Sequence, residues 1–178
     1  MPALRNYPWT LEEVERLIEE REGYTPRYEL VDGELLVSPG PSGRHQRLVV
    51  CLLVRLVAYV NRFGLGEVRM GPGAVHLGPQ GYFEPDLFVI PALNGKRRRA
   101  DERVTELSLA VEVLSLGSIR HDRITKRKYF QRHSVPEYWI VDGDAGAFEV
   151  WRPNEARPAI QDEQLTWHPD GAPEPFVL

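Results

Sequence analysis

The chain has 178 residues, 42% of them hydrophobic and 27% charged, which is enough for one well-buried core and little for two domains. The net charge of −4 argues against a protein that coats nucleic-acid phosphates broadly, because such proteins are usually basic. The single cysteine, Cys51, excludes an intrachain disulfide, and its position in an apolar run predicts a small core residue. We therefore expect one domain over residues 1–178, with its core at about 10–151 and a proline-rich extension at 152–178.

The termini and apolar runs carry no sign of a membrane or export signal. Residues 1–10 lack the charged-then-apolar order of a signal peptide. The longest apolar run, 48–60, is interrupted by Arg55 and is too short to span a bilayer. The expectation is a cytoplasmic protein without a membrane partner.

The first third of the chain predicts a helix, a hairpin and a second helix. Thr10 and Glu13 form a capping-box pattern before a helix at 11–21. Asp32-Gly33 separates two short strand-like runs, 28–31 and 34–37, and predicts a hairpin. Residues 45–63 predict a buried helix ending at Gly64, although their valine content leaves a strand open.

The remainder of the chain alternates strands with one helix. Strands are predicted at 67–70 and 74–77, around Gly71-Pro72-Gly73, and at 86–90. Residues 107–114 are apolar on both faces, as in a central strand, and a helix follows at 119–133. Further strands are predicted at 136–141, 147–151 and 163–167. This order predicts an α/β (α+β) fold, a mixed central sheet flanked by helices with an N-terminal helix and β-hairpin.

Two carboxylates lie at positions typical of catalytic or metal-binding residues. Glu112 lies inside the apolar run 110–114, and burying an unpaired carboxylate costs several kcal/mol, so it requires a cation, a metal or hydrogen-bond donors. Asp86 follows Pro85 at the start of a strand, although Pro-Asp is also an ordinary turn dipeptide. If the two strands are neighbours, both carboxylates can bind one Mg²⁺ ion. The alternative for Glu112 is an edge strand or a buried arginine partner.

Lys126 is the third member of the candidate site. It shares a helix face with Asp122, Tyr129 and His133 by i, i+3, i+4 spacing. On the sheet-facing side its ammonium group would stabilise negative charge on a scissile phosphate. The alternative is a surface ion pair with Asp122, worth only about 0.3–0.5 kcal/mol.

The sequence resembles a known family over about residues 10–151. Pro85-Asp86 followed by Val111-Glu112-Val113 resembles the core of the PD-(D/E)XK, or restriction-endonuclease-like, nucleases. The runs 28–35, 112–115 and 135–142, together with His45, Asp122 and Lys126, are similar to the Uma-type family of restriction-endonuclease-like proteins. Leu114 stands where the simple motif has lysine, and in this family the following helix supplies that lysine, which Lys126 matches.

The resemblance implies a Mg²⁺ or Mn²⁺ cofactor held by Asp86 and Glu112, with Lys126 as the third catalytic residue. Accessory roles are considered for His45, Glu34 and Asp122, with helix capping, an exposed hairpin and a surface ion pair as their alternatives. The basic run 96–99 is expected to be a solvated loop, with contact to a phosphate backbone as the alternative.

Three functions remain open on these residues. The first is a metal-dependent endonuclease that acts on DNA, expected as a homodimer because two sites cut two strands most simply. The second is a non-catalytic nucleic-acid-binding or regulatory module on the same fold. The third is an oligomeric interaction protein without divalent-metal affinity.

Overall fold

In the computed structural model, which describes residues 7–178, secondary structure follows the predicted order closely. The helices are α1 (Leu11–Glu19), α2 (Gly43–Phe63) and α3 (Arg127–Arg132), and a π-helical turn (His121–Lys126) leads into α3. The strands are β1 (Arg27–Val31), β2 (Glu34–Ser38), β3 (Gly66–Met70), β4 (Val75–His76), β5 (Gly81–Phe83), β6 (Leu87–Pro91), β7 (Leu109–Val113), β8 (Glu137–Asp142), β9 (Ala147–Trp151), β10 (Ala159–Gln161), β11 (Thr166–Trp167) and β12 (Phe176–Val177).

Local signals place α1 and the first hairpin. The Glu13 amide donates to the Thr10 hydroxyl and the Thr10 amide donates to the Glu13 carboxylate, so both bonds of the capping box form. Asp32 and Gly33 both have positive φ, at 51° and 82°, as a tight two-residue hairpin turn requires. The predicted helix and hairpin are confirmed.

Helix α2 covers one face of the main sheet. The Ser42 hydroxyl caps its start by accepting from the His45 amide at 3.2 Å, and Gly64 ends it in the left-handed conformation. The helical prediction is confirmed over the strand alternative. Cys51 lies on the exposed face of α2, so the prediction of a core cysteine is wrong, because helical periodicity turns it away from the sheet. Within residues 7–178, α2 included, no helix has both the length and the apolar character to cross a membrane.

The main sheet has six strands in the order β10-β9-β8-β7-β6-β3. Strands β7 and β8 are parallel and the other neighbours are antiparallel, which confirms the predicted mixed sheet. Strand β7 lies inside this sheet and all five of its residues are buried. The edge-strand alternative for Glu112 is therefore wrong.

A second, antiparallel sheet has the order β2-β1-β5-β4. The sequence predicted strands at 67–70 and 74–77, and these form as β3 and β4; β3 pairs with β6 and β4 pairs with β5. The two strands therefore belong to different sheets, because their partners lie elsewhere in the chain. Strand β5 was not predicted.

The C-terminal segment contributes to the core. Strand β10 extends the main sheet, and β11 pairs with β12. Leu165, Trp167 and Phe176 are buried in the cluster that α2 forms with the main sheet. Residues 152–178 thus contribute three side chains to the core, although their sequence pattern is weak.

Candidate metal centre

Asp86 and Glu112 come together because β6 and β7 are antiparallel neighbours. Leu87 pairs with Val111, and the same register continued by one residue places Asp86 opposite Glu112. Side chains directly opposite on neighbouring antiparallel strands have Cβ atoms about 5 Å apart. The Val113 amide donates to Asp86 Oδ2 at 2.9 Å, which holds the aspartate against β7. The sequence condition that the two strands be neighbours is met.

Lys126 lies inside the protein among three carboxylates. Its Nζ atom is 2.9 Å from Glu112 Oε1, 2.6 Å from Glu29 Oε2 and 3.2 Å from Asp122 Oδ1. Only the contact with Glu112 has hydrogen-bond geometry, and the other two are ion pairs. Lysine and all three acids are about 1% exposed, so the Asp122–Lys126 pair is buried and the surface alternative is wrong.

Glu29 is the member of the cluster that the sequence reasoning missed. It lies on β1 of the second sheet, and its Oε1 atom accepts from the Glu84 amide at 3.0 Å. The sequence did carry a signal for Glu29, because this residue interrupts the strand-like run 28–31 in the same way as Glu112 interrupts the apolar run 110–114. Glu34, considered instead, is exposed on β2, where it pairs with Val31.

Two side chains and a main-chain amide surround the Asp86 carboxylate. Arg27 Nη1 donates to Asp86 Oδ1 at 2.8 Å and to the Glu84 carbonyl at 3.1 Å. His45 Nε2 is 2.9 Å from Asp86 Oδ2, so the structure brings this predicted accessory residue to the centre from the first turn of α2. Arg27 was not identified from the sequence.

The charges of this cluster do not balance. The four carboxylates of Glu29, Asp86, Glu112 and Asp122 face two cationic side chains, Arg27 and Lys126. Full ionisation with neutral His45 therefore leaves an excess of about two negative charges in a buried volume, an arrangement that attracts a further cation.

The pKa values follow from burial and from this imbalance. Burial raises the pKa of the Glu112 carboxyl well above its usual value, against the opposing charge of Lys126. Burial alone would lower the pKa of the Lys126 ammonium, but the surrounding carboxylates raise it well above its usual value. Burial alone would raise the pKa of Asp86, but the His45 hydrogen bond and the Arg27 charge lower it to about 2. Asp86 thus stays ionised, as a metal ligand must.

The donor set fits a hard divalent cation. Carboxylate oxygens are the ligands that Mg²⁺ prefers, and proteins usually hold it by one or two carboxylates, with water and phosphate oxygens completing the shell. Within the described part of the chain, Glu112 Oε2 accepts no hydrogen bond. No group of three or more acidic, histidine or cysteine side chains among residues 7–178 is arranged to enclose a metal ion, so a metal here would be held by the Asp86 and Glu112 carboxylates alone.

A groove of about 440 Å³ lies next to the centre. Its walls are the start of α2, the loop after β7 and the turn between β8 and β9. His45 and Val113 line it, and both bind Asp86. Asp86, Glu112 and Lys126 do not line the groove, so a ligand in it would meet the Asp86 carboxylate only through His45 and Val113.

The basic run at 96–99 is engaged in local ion pairs. Arg98 contacts Glu102 at 2.9 Å and Glu106 at 2.6 Å, and Arg99 contacts Asp101 at 3.0 Å. None of the run lines the groove. The expectation of a solvated loop agrees with these contacts.

Comparison with known proteins gives a family and a fold. The Uma2 family, described as "Putative restriction endonuclease", matches residues 11–175. A solved structure from Anabaena variabilis, described as "a putative nuclease belonging to DUF820", superposes with a TM-score of 0.73 at 20% identity and covers 93% of this chain and 92% of that chain. No protein of curated function matches.

Proposed function

The chain belongs to the Uma2 family, and on this premise we propose that it is a metal-dependent endonuclease that hydrolyses phosphodiester bonds of DNA. One observation carries the proposal: Asp86 lies opposite Glu112 on neighbouring strands, with Lys126 Nζ 2.9 Å from Glu112. Two acidic oxygens and a fixed ammonium group in one place match the needs of phosphodiester hydrolysis.

Asp86 and Glu112 would hold Mg²⁺ or Mn²⁺. When bound, such an ion polarises a phosphate oxygen and lowers the pKa of a coordinated water. Asp86 is kept ionised by its surroundings, and Glu112 Oε2 is without a hydrogen-bond donor among residues 7–178. Glu112 would thus offer Oε2, and Asp86 would offer Oδ1, which among residues 7–178 accepts a hydrogen bond from Arg27 alone.

Lys126 would stabilise the negative charge that develops on the phosphate. Its ammonium group keeps ion pairs with Glu29 and Asp122 that do not depend on Glu112. Glu112 can therefore turn an oxygen toward a metal while the lysine stays in place. Glu29 and Asp122 act as positioning residues in this arrangement.

Arg27 and His45 would orient the Asp86 carboxylate. Each occupies a different oxygen of Asp86, at 2.8 and 2.9 Å, so the carboxyl plane is fixed from two sides. Partners that orient a metal ligand commonly matter almost as much as the ligand. We assign both to positioning.

The test is cleavage of plasmid and linear DNA by the purified chain with Mg²⁺ or Mn²⁺. Glu112→Gln and Asp86→Asn should each lower the cleavage rate by at least a hundredfold with no loss of secondary structure. Glu34→Gln is the matched control, because Glu34 is exposed on β2 and its charge lies outside the centre. Equal rates for Glu112→Gln and Glu34→Gln would contradict the assignment.

A second candidate is a non-catalytic nucleic-acid-binding module on the same fold. The observation that favours it is the enclosure of Lys126 by three carboxylates, with the lysine and Glu112 both about 1% exposed. Salt-sensitive DNA binding without metal-dependent turnover would identify this function.

The assembly we propose for the endonuclease is a homodimer. One metal centre per chain would cut one DNA strand, and two copies related by a two-fold axis would cut both strands. Light scattering of the purified chain in the cleavage buffer should give twice the monomer mass of 20.4 kDa. A monomer mass with intact double-strand cleavage would refute this assembly.

A further inference from the structure

The groove beside the metal centre has one polar wall, provided by the start of α2. This helix is 21 residues long, and its first turn presents main-chain N–H groups and the positive end of the helix dipole. Arg44 in that turn lines the groove, next to His45, which is 6% exposed and binds Asp86. His45 Nδ1 is buried without a hydrogen-bond partner among the described residues. This end of the groove offers donors and positive charge.

The opposite wall is acidic but largely compensated. Asp142 pairs with Arg123 at 2.8 Å, and Asp144 pairs with Arg44 across the mouth of the groove. Both side chains of the second pair are mostly exposed, and exposed ion pairs contribute little to stability. Arg44 can therefore exchange Asp144 for another anion at low cost.

The third wall carries an exposed leucine at the tip of a hydrogen-bonded turn. Leu116 is 94% exposed at the tip of the loop after β7, four positions beyond Glu112. The loop is held by the Ser118 hydroxyl, which accepts from the Ser115 amide at 3.2 Å, and by the Ser118 amide, which donates to the Ser115 carbonyl at 3.0 Å. A single exposed leucine is ordinary, but this one lies at the wall of the groove that His45 and Val113 also line.

We propose that this groove binds a strand of DNA, with Arg44 on a backbone phosphate and Leu116 packed against the sugar and base beside it. The inference rests on the proposed endonuclease function and specifies how its substrate is held. A nucleic-acid strand repeats an anionic group next to a flat apolar one, which matches a cationic helix start facing an exposed leucine. Its path runs past His45 and Val113, the two groove residues that contact Asp86.

Fluorescence anisotropy with a labelled DNA duplex tests the groove. The protein is the full chain carrying Glu112→Gln with Mg²⁺ present, so that binding is measured without cleavage. Leu116→Ser should weaken binding about tenfold and leave its salt dependence unchanged, because it removes apolar contact only. Arg44→Gln should weaken binding and reduce the slope of log K against log salt by about 1, the value for one lost phosphate contact.

Two matched controls lie outside the groove. Leu93→Ser removes a leucine that is 52% exposed in another loop, and Arg55→Gln removes an exposed arginine from α2 three turns beyond Arg44. Both should bind DNA like the parent protein. The substituted side chains at 44 and 116 are exposed, so the variants are expected to fold.

Each outcome decides the inference. If the wild-type chain cleaves DNA while Leu116→Ser and Arg44→Gln bind like their controls, the groove assignment is wrong and the endonuclease proposal stands. If these substitutions weaken binding to RNA of the same sequence but not to DNA, a DNA strand is the wrong occupant. If the chain neither binds nor cleaves DNA, both proposals are lost.

Discussion

At the scale of single residues, the centre is defined by an excess of buried carboxylates over buried cations. Lys126 contacts three of them, and its own charge is maintained because they surround it. Removing one member of a buried ion pair leaves the other charge buried without a partner. This destabilises a protein more than replacing both members by apolar residues does. The stability of the protein should therefore depend on this one ammonium group.

We expect Lys126→Met to lower the free energy of unfolding by about 3–5 kcal/mol at neutral pH, because it leaves three buried carboxylates without their cation. Urea denaturation followed by circular dichroism measures the change. Lys128→Met is the matched control, since Lys128 is exposed on the same helix and should change stability by less than about 0.5 kcal/mol. Similar free energies of unfolding for the two variants would show that the Lys126 ammonium group does little to neutralise the cluster.

The residue scale also shows where sequence reasoning succeeded. Glu112 was identified as a carboxylate inside an apolar strand, and Asp86 as the residue after Pro85 at the start of a strand. Lys126 was identified by its helix face and by its match to the lysine of the family that the sequence resembles. Glu29 met the same criterion but was passed over for Glu34, which is exposed. Both acids lie on the same face of the hairpin, because Val31 pairs with Glu34 and Glu29 pairs with Leu36. Glu34 is beside the turn and exposed, whereas contacts distant in sequence, with Lys126 and the Glu84 amide, bury Glu29.

At the scale of elements, the centre requires the second sheet to lie against α3. Tyr129 Oη donates to the Leu77 carbonyl at 2.6 Å, and the Phe83 and Phe130 rings are 4.8 Å apart. Gly81 makes this approach possible, because a Cβ atom there would lie 2.3 Å from the Leu77 carbonyl oxygen and 2.6 Å from Tyr129 Oη. These contacts bring β1, and with it Glu29, to the helix that carries Lys126.

Gly81→Ala should destabilise the protein by about 1–3 kcal/mol, because the added methyl group forces main chain and a buried ring apart. The measurement is the urea midpoint at constant slope. Gly43→Ala, in the first turn of α2, meets no atom within 4 Å and should be close to neutral. A neutral Gly81→Ala would mean that β5 and α3 can separate without cost.

At the scale of the whole molecule, the site lies between two sheets and the core is closed by the C-terminal segment. Strand β1 of one sheet supplies Arg27 and Glu29, and the other sheet supplies Glu112. On the opposite face of the main sheet, Trp167 packs edge-to-face on Trp139, with ring centres 5.8 Å apart, and lies 6.0 Å from the Tyr59 ring of α2. The proline-rich tail is therefore part of the folded structure.

Trp167→Ala should lower the free energy of unfolding by about 3–5 kcal/mol, as expected when a buried aromatic side chain leaves a cavity. Thermal and urea unfolding would both report the loss. Glu163→Ala, exposed a few residues earlier, serves as the control and should be within about 0.5 kcal/mol of the parent. A loss below about 1 kcal/mol for Trp167→Ala would indicate that residues 152–178 dock only weakly.

The sequence by itself determined the features that depend on near neighbours: the cap of α1, the Asp32-Gly33 turn, the span of α2 and the buried strand around Glu112. It also determined three members of the candidate centre, because an ionisable side chain in an apolar pattern is visible without coordinates. Tertiary structure alone decided that β3 and β4 join different sheets and that Glu29 and Arg27 enter the centre. The physical reason is that strand partners and buried charge partners are chosen by contacts across the fold, on which the local pattern carries no information.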